Sequence, residues 1–257
     1  MTDESVISGL RVHDRDLNRR PPAASPELAR SLEPALREFD EQARSLAVSY
    51  VTRWNGPGAG NLLLKLTADR SVTVAAAAAQ SLLRISDTPP GEAILAAIPS
   101  RQDAFVRGKL YLAAGQAKTP PGLASFRATA AKESDPNAAE EAQAAAVKLG
   151  GDVERKAFIE RIKTTVPDKA LRVHEQMLYV GDPKLAKALG PWFGKKDDIM
   201  RLSGDREGGG GMVRMCDLAV WTAYRLGVKF ALQPDYLTTF DGAVLDAAKG
   251  ACAGLPD

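Results

Sequence analysis

The chain has 257 residues, 45% of them hydrophobic, and its 34 basic and 32 acidic side chains leave a formal charge of +2. That balance gives no strong pull toward nucleic acid or an anionic membrane, and two cysteines rule out a disulfide framework or a cysteine-cluster zinc site. No run approaches the ~18 apolar residues of a membrane helix and the first residues lack a basic or apolar leader pattern, so a cytoplasmic protein with Cys216 and Cys252 as buried thiols is expected.

Residues 1–24 are polar and mix the acids Asp3, Glu4, Asp14 and Asp16 with the bases Arg11, Arg15, Arg19 and Arg20. Arg19-Arg20-Pro21-Pro22 opposes a continuing helix, because proline restricts the residue before it. A flexible N-terminal arm is expected over 1–24. Order begins at Ser25-Pro26-Glu27, where serine can cap a helix and proline at its first position loses no hydrogen bond. Leu28, Leu32, Leu36 and Phe39 follow helical spacing, with a kink at Pro34. Asp40 opens a second helix that carries Ala43, Leu46, Ala47, Tyr50 and Val51 on one stripe, and Asn55-Gly56-Pro57-Gly58 ends it.

A repeat then becomes plain. Thr88-Pro89-Pro90-Gly91 recurs as Thr119-Pro120-Pro121-Gly122, 31 residues later. Each unit has a short helix, a polar break and a longer helix. Leu62 to Leu66 and Val72 to Ile85 form the first clear pair. Ala93 to Ile98 and Val106 to Ala117 form the next, then Leu123 to Ala131 and Ala138 to Leu149, then Val153 to Ile162 and Ala170 to Val180. The breaks carry Asp69, Asp103, Asp135 and Asp168, at steps of 34, 32 and 33, each placed to cap the second helix. Alanine dominates the second helices, which suits close approach of neighbouring pairs. No segment reads as a strand.

Asp103-x-x-Val106-Arg107 and Asp168-x-x-Leu171-Arg172 resemble the second-helix pattern of HEAT repeats, an aspartate followed by an aliphatic–basic pair; Asp69-x-x-Val72 fits without the base. The resemblance covers about 57–183 well and 25–56 loosely. Within 57–183 the first helices lack the internal proline typical of HEAT units, and the period is shorter than the usual ~40 residues, so "HEAT-like" is the fitting label. It implies an all-α, right-handed α-α superhelix of about six helical hairpins over 25–257, with a groove lined by second helices that binds another protein.

The rhythm breaks after Pro183. A first helix over Leu185 to Leu189 is followed by Gly190-Pro191-Trp192-Phe193-Gly194 and a Gly-rich loop over 194–211 that contains Asp205, Arg206 and four consecutive glycines. Such a loop is either a mobile binding element or an unstructured insertion. The delayed second helix starts near Met212 and holds Arg214 and Asp217, with Trp221, Tyr224 and Arg225 one to two turns on. Arg214 and Asp217 can pair as i,i+3 neighbours, either as an inter-helix structural bond or as a polar anchor beside aromatic groups of the interface type. A last helix in Pro234 to Asp257 caps the array.

No convergent catalytic set is legible. His13 and His174 have no partners at metal spacing, and Cys216 has no helical histidine to activate it. No metal, cofactor or catalytic residue is therefore assigned. The expected partner is another protein, met through Arg107, Arg172, Trp192, Asp205, Arg206, Arg214, Asp217, Trp221 and Arg225. The last helical unit is also similar to that of bacterial HEAT-like proteins, some of them immunity proteins, which implies an inhibitor that occludes a cognate toxin or enzyme. The alternative is a HEAT-like nucleic-acid-binding protein of the DNA-glycosylase kind using Asp217, Trp221 and the second-helix arginines. The near-neutral charge argues against a strong phosphate-binding face.

Overall fold

The computed structural model describes residues 40–201, 212–231, 234 and 237–256. The 1–24 arm, the helix expected over 25–39 and the glycine run lie outside the described residues. What is described is predominantly helical and falls into two compact units that divide between Leu149 and Gly150. Among the described residues, no helix is long and apolar enough to cross a membrane.

The first unit contains α1 (Glu41–Trp54), α2 (Ala59–Leu66), α3 (Val72–Leu82), α4 (Gly91–Ala97), α5 (Ala104–Gln116), α6 (Leu123–Ala130) and α7 (Pro136–Lys148). Local chemistry sets the boundaries. The carboxylates of Asp40, Asp103 and Asp135 accept from the amides of Ala43, Val106 and Ala138, satisfying donors that a helix start leaves open. Asn55 ends α1 in the left-handed region at φ 46°.

The expected aspartate ladder holds at two of its four positions. Ser71, not Asp69, caps α3. Asp69 instead accepts from Arg44 Nε at 2.7 Å and Arg44 Nη2 at 3.0 Å in a buried ion pair. Asp168 sits inside the first turn of its helix, because Pro167 starts that helix and Val166 takes the cap position.

The longer helices pack in series, α1 on α3, α3 on α5 and α5 on α7, while α2, α4 and α6 each pack on the long helix that follows. Leu63, Leu82, Ile94, Leu110, Tyr111 and Phe126 are almost fully buried between them, each large side chain stabilising by about 1.5–3 kcal/mol. Small residues allow the approach of α5 to α7. A Cβ on Gly108 would stand 3.1 Å from Glu141 Cγ and 3.5 Å from Ala138 Cα.

The linkers between hairpins also touch. Ser86 N–H donates to Asn55 Oδ1 at 2.7 Å, Gly58 N–H to Asp87 Oδ2 at 2.7 Å, and Gly91 N–H to the Thr119 carbonyl at 2.8 Å. The two Thr-Pro-Pro-Gly copies thus lie directly against each other.

The second unit contains α8 (Asp152–Thr164), α9 (Pro167–Val180), a 3-10 helical segment (Pro183–Gly194), strands β1 (Asp198–Arg201) and β2 (Met212–Arg214), α10 (Met215–Arg225) and α11 (Gly242–Ala253). The 3-10 segment is its hub and packs on α8, α10 and α11. Leu185, Ala186, Leu189 and Trp192 are all 0% exposed. The strands, which the sequence does not suggest, pair antiparallel with Met200 opposite Val213, and a bulge falls between Asp198 and Met200. Four- and three-residue strands are too short to display an alternating pattern, and their partners lie on either side of a glycine-rich stretch.

Candidate functional site

The start of α10 is tightly bound. Asp217 is 0% exposed. Its Oδ2 accepts from the Arg214 backbone N–H at 2.9 Å and Arg214 Nε at 2.8 Å, while Oδ1 accepts from Arg214 Nη2 at 2.8 Å and the Phe240 backbone N–H at 2.9 Å. Arg214 Nη2 donates in addition to the Phe240 carbonyl. Burial works to raise the Asp217 carboxyl, but the Arg214 guanidinium and the two amides together hold it below the usual carboxylate range. Two more α10 donors reach outside the helix. The Met215 N–H binds the Asp197 carbonyl and the Cys216 N–H the Lys195 carbonyl, both at 2.9 Å. Arg214 and Asp217 therefore lock α10 to the segment before α11.

Trp192 belongs to the core rather than to a surface, and its Nε1–H donates to the Ile162 carbonyl at 2.7 Å. That acceptor lies 30 residues away, so Gly-Pro-Trp-Phe-Gly reads locally as a loop. Arg107 is likewise engaged within the first unit. Its Nε and Nη2 grip Glu133 at 2.8 and 2.9 Å, tying α5 to the next hairpin's turn. Arg172 is half-buried on α9. Asp205 and Arg206 lie outside the described residues.

What remains open is the other face of α10. Trp221, Tyr224 and Arg225 fall at i, i+3 and i+4 and so share one side. Trp221 and Tyr224 are half-buried and Arg225 is exposed. The two rings lie 5.5 Å apart at 39°, and the Arg225 guanidinium sits 5.6 Å from the Trp221 ring centre, in cation–π range.

His174 of α9 lies behind this cluster. Thr222 Oγ1 gives its proton to the Leu218 carbonyl at 2.6 Å, so His174 Nδ1, 2.8 Å away, must be the donor in their bond. Burial and the nearby Arg225 charge push the His174 pKa down to about 4. A depressed folded pKa means stability that is complete above the ordinary histidine range and is lost as pH falls from about 6.5 toward about 4. Melting temperatures of the wild type and His174→Gln from pH 7.5 to 4 check this: the wild type loses more stability across that window, and parallel curves would contradict it.

Both thiols are free and buried, and burial raises them, Cys252 to about 11. Among the described residues, no group of three or more His, Cys, Asp and Glu side chains is placed to hold a metal. Helical spacing ties Tyr224 to Trp221 at i+3, but nothing local in the sequence links His174 to this cluster, since its bond to Thr222 spans 48 residues. No protein-family model, curated protein or solved structure matches the chain.

Proposed function

We propose that the chain is a HEAT-like protein-binding scaffold, with the hairpins of its first unit stacked as a right-handed superhelix and its partner held through the open face of α10. The observation that carries this reading is the Trp221–Tyr224–Arg225 cluster, which is left accessible while Arg214 and Asp217 beside it are used by the fold. Tryptophan, tyrosine and arginine are the residues on which interface energy concentrates, because each combines a large contact area with a polar handle. The serial packing of α1, α3, α5 and α7 supports the scaffold part of the reading.

The mode of action in this reading is occlusion: the scaffold covers the working surface of a cognate toxin or enzyme. The nucleic-acid-processing alternative needs an accessible carboxylate, and Asp217, fully buried with four donors upon it, does not supply one. Co-purification of the tagged full chain from the organism that encodes it tests the proposal. One protein retained in near-stoichiometric amount, and inhibited when the scaffold is added back, is the expected result. Absence of any stoichiometric protein would remove the reading's support.

A further inference from the structure

In the first unit, the turn after α4 and the turn between α6 and α7 enclose a cleft of about 270 Å³. Its walls include Ile98, Arg101, Arg107, Tyr111, Lys132 and Glu133. The charges there do not cancel. Arg107 is committed: Nε and Nη2 hold Glu133, and Nη1 donates to the Arg101 and Gln102 carbonyls at 3.1 and 2.7 Å. Arg101 is half-buried and, among the described residues, bonds only neutral oxygens, Thr67 Oγ1 at 2.9 Å, Ser100 Oγ at 2.7 Å and the Leu64 carbonyl at 3.4 Å. Those three bonds leave part of its five-donor fork unused. Burial holds its guanidinium below the ordinary arginine value, and no described carboxylate pairs with it. Lys132 is exposed at the same cleft and has no ion pair among the described residues.

A half-buried cation without a counter-charge is costly, and the cleft presents it beside an apolar wall and a second cation. Tyr111 adds a donor. Its hydroxyl is 3.4 Å from the Thr129 carbonyl, near the outer limit of a hydrogen bond, and burial pushes its pKa up to about 12, so it keeps its proton.

We propose that this cleft is a carboxylate-binding site, in which Arg101 receives the carboxylate, Tyr111 donates to it and Lys132 draws it in from solvent. A guanidinium fork matches a planar carboxylate. The Glu133 carboxylate in the wall disfavours the full charge of a phosphate dianion at the same place. The volume suits one acidic side chain of a peptide or one end of a small dicarboxylate. The proposal does not rest on the α10 reading, because a free dicarboxylate is enough to fill the cleft.

The test is a titration of the isotope-labelled full chain, followed by amide NMR shifts, with glutarate, hexaglutamate, hexaglutamine and inorganic phosphate as probes. Saturable shifts at Arg101 and Lys132 with glutarate or hexaglutamate, absent with hexaglutamine, are expected. Tighter binding of hexaglutamate assigns the carboxylate to a peptide, and tighter binding of glutarate to a small molecule. Arg101→Gln and Lys132→Gln each weaken that binding at least fivefold. If Arg101→Gln unfolds, because it also loses its Thr67 and Leu64 bonds, the exposed Lys132→Gln variant carries the test alone. No saturable shift with either acid, unchanged affinity in the folded variants, or tighter binding of phosphate than of both acids overturns the proposal.

Discussion

Replacing Asp217 with alanine lowers the stability of the second unit by about 3–5 kcal/mol, the cost of breaking a buried ion pair from one side. The carboxylate is fully buried and takes four donors. Its loss leaves the buried Phe240 N–H without an acceptor and frees the tie between α10 and the segment before α11. Asp217→Asn costs nearly as much, since an amide presents a donor where two Arg214 nitrogens already donate. Urea unfolding followed by helical circular dichroism gives the loss, and faster amide exchange at Phe240 locates it. Because the carboxyl lies below its ordinary range in the fold, this contribution is present above that range and fades as pH falls through the folded value. A loss of less than about 1 kcal/mol for the alanine variant would contradict a fold-locking role, which by the magnitudes of buried pairs should exceed that several-fold.

Gly91→Ala destabilises the first unit by about 2–3 kcal/mol, whereas the same change at Gly122 shifts stability by less than about 1 kcal/mol. Both glycines end a Thr-Pro-Pro-Gly copy, so sequence alone treats them as equivalents. The structure separates them. A Cβ on Gly91 would press on the Pro121 ring, 2.8 Å from Pro121 N and 2.9 Å from the Ala114 carbonyl, while one on Gly122 would meet only Ser125 Oγ at 3.8 Å. The difference arises because Gly91 has a following linker stacked on it. Gly60, 31 residues earlier, is crowded in the same way by Asp87 and Pro89. The place 31 residues after Gly122 is held by Val153, 71% exposed, beyond the division between the units. Thermal unfolding of the two variants side by side reads the contrast. Equal losses would mean that the repeat is a turn signal without a stacking role.

Much of the helical register was legible because it depends on neighbours in the chain. Asp103 and Asp135 stand three residues before the amides they cap, and Asn55 stands where α1 must stop. What escaped the sequence depends on partners far along the chain or on competition at one position. Ser71 displaced Asp69 as a cap, which left Asp69 for Arg44, 25 residues away. Trp192 reads as a surface residue because a Gly-Pro-flanked aromatic pair looks like a loop; its partner is the Ile162 carbonyl near the end of α8. Arg107 looks like a free cation in one dimension because Glu133 comes from another element. The Arg214–Asp217 pair is legible from its i,i+3 spacing, whereas its hold on the Phe240 backbone, 26 residues from Arg214, is not. Arg225 is exposed and Trp221 half-buried, and helical spacing alone places the two on one side of α10.

In the proposed reading, the polar and aromatic residues of the second unit divide into those that hold the fold, such as Arg214 and Asp217, and those offered to a partner, Trp221 and Arg225. Affinity of the co-purified partner for the wild type, Trp221→Ala and Arg225→Ala, measured beside the melting temperature of each protein, tests that division most directly. The predicted result is at least a tenfold loss of affinity, about 1.4 kcal/mol or more, for both variants, with Arg225→Ala melting within about 2 °C of the wild type because its side chain is exposed. Unchanged affinity in both variants would contradict it.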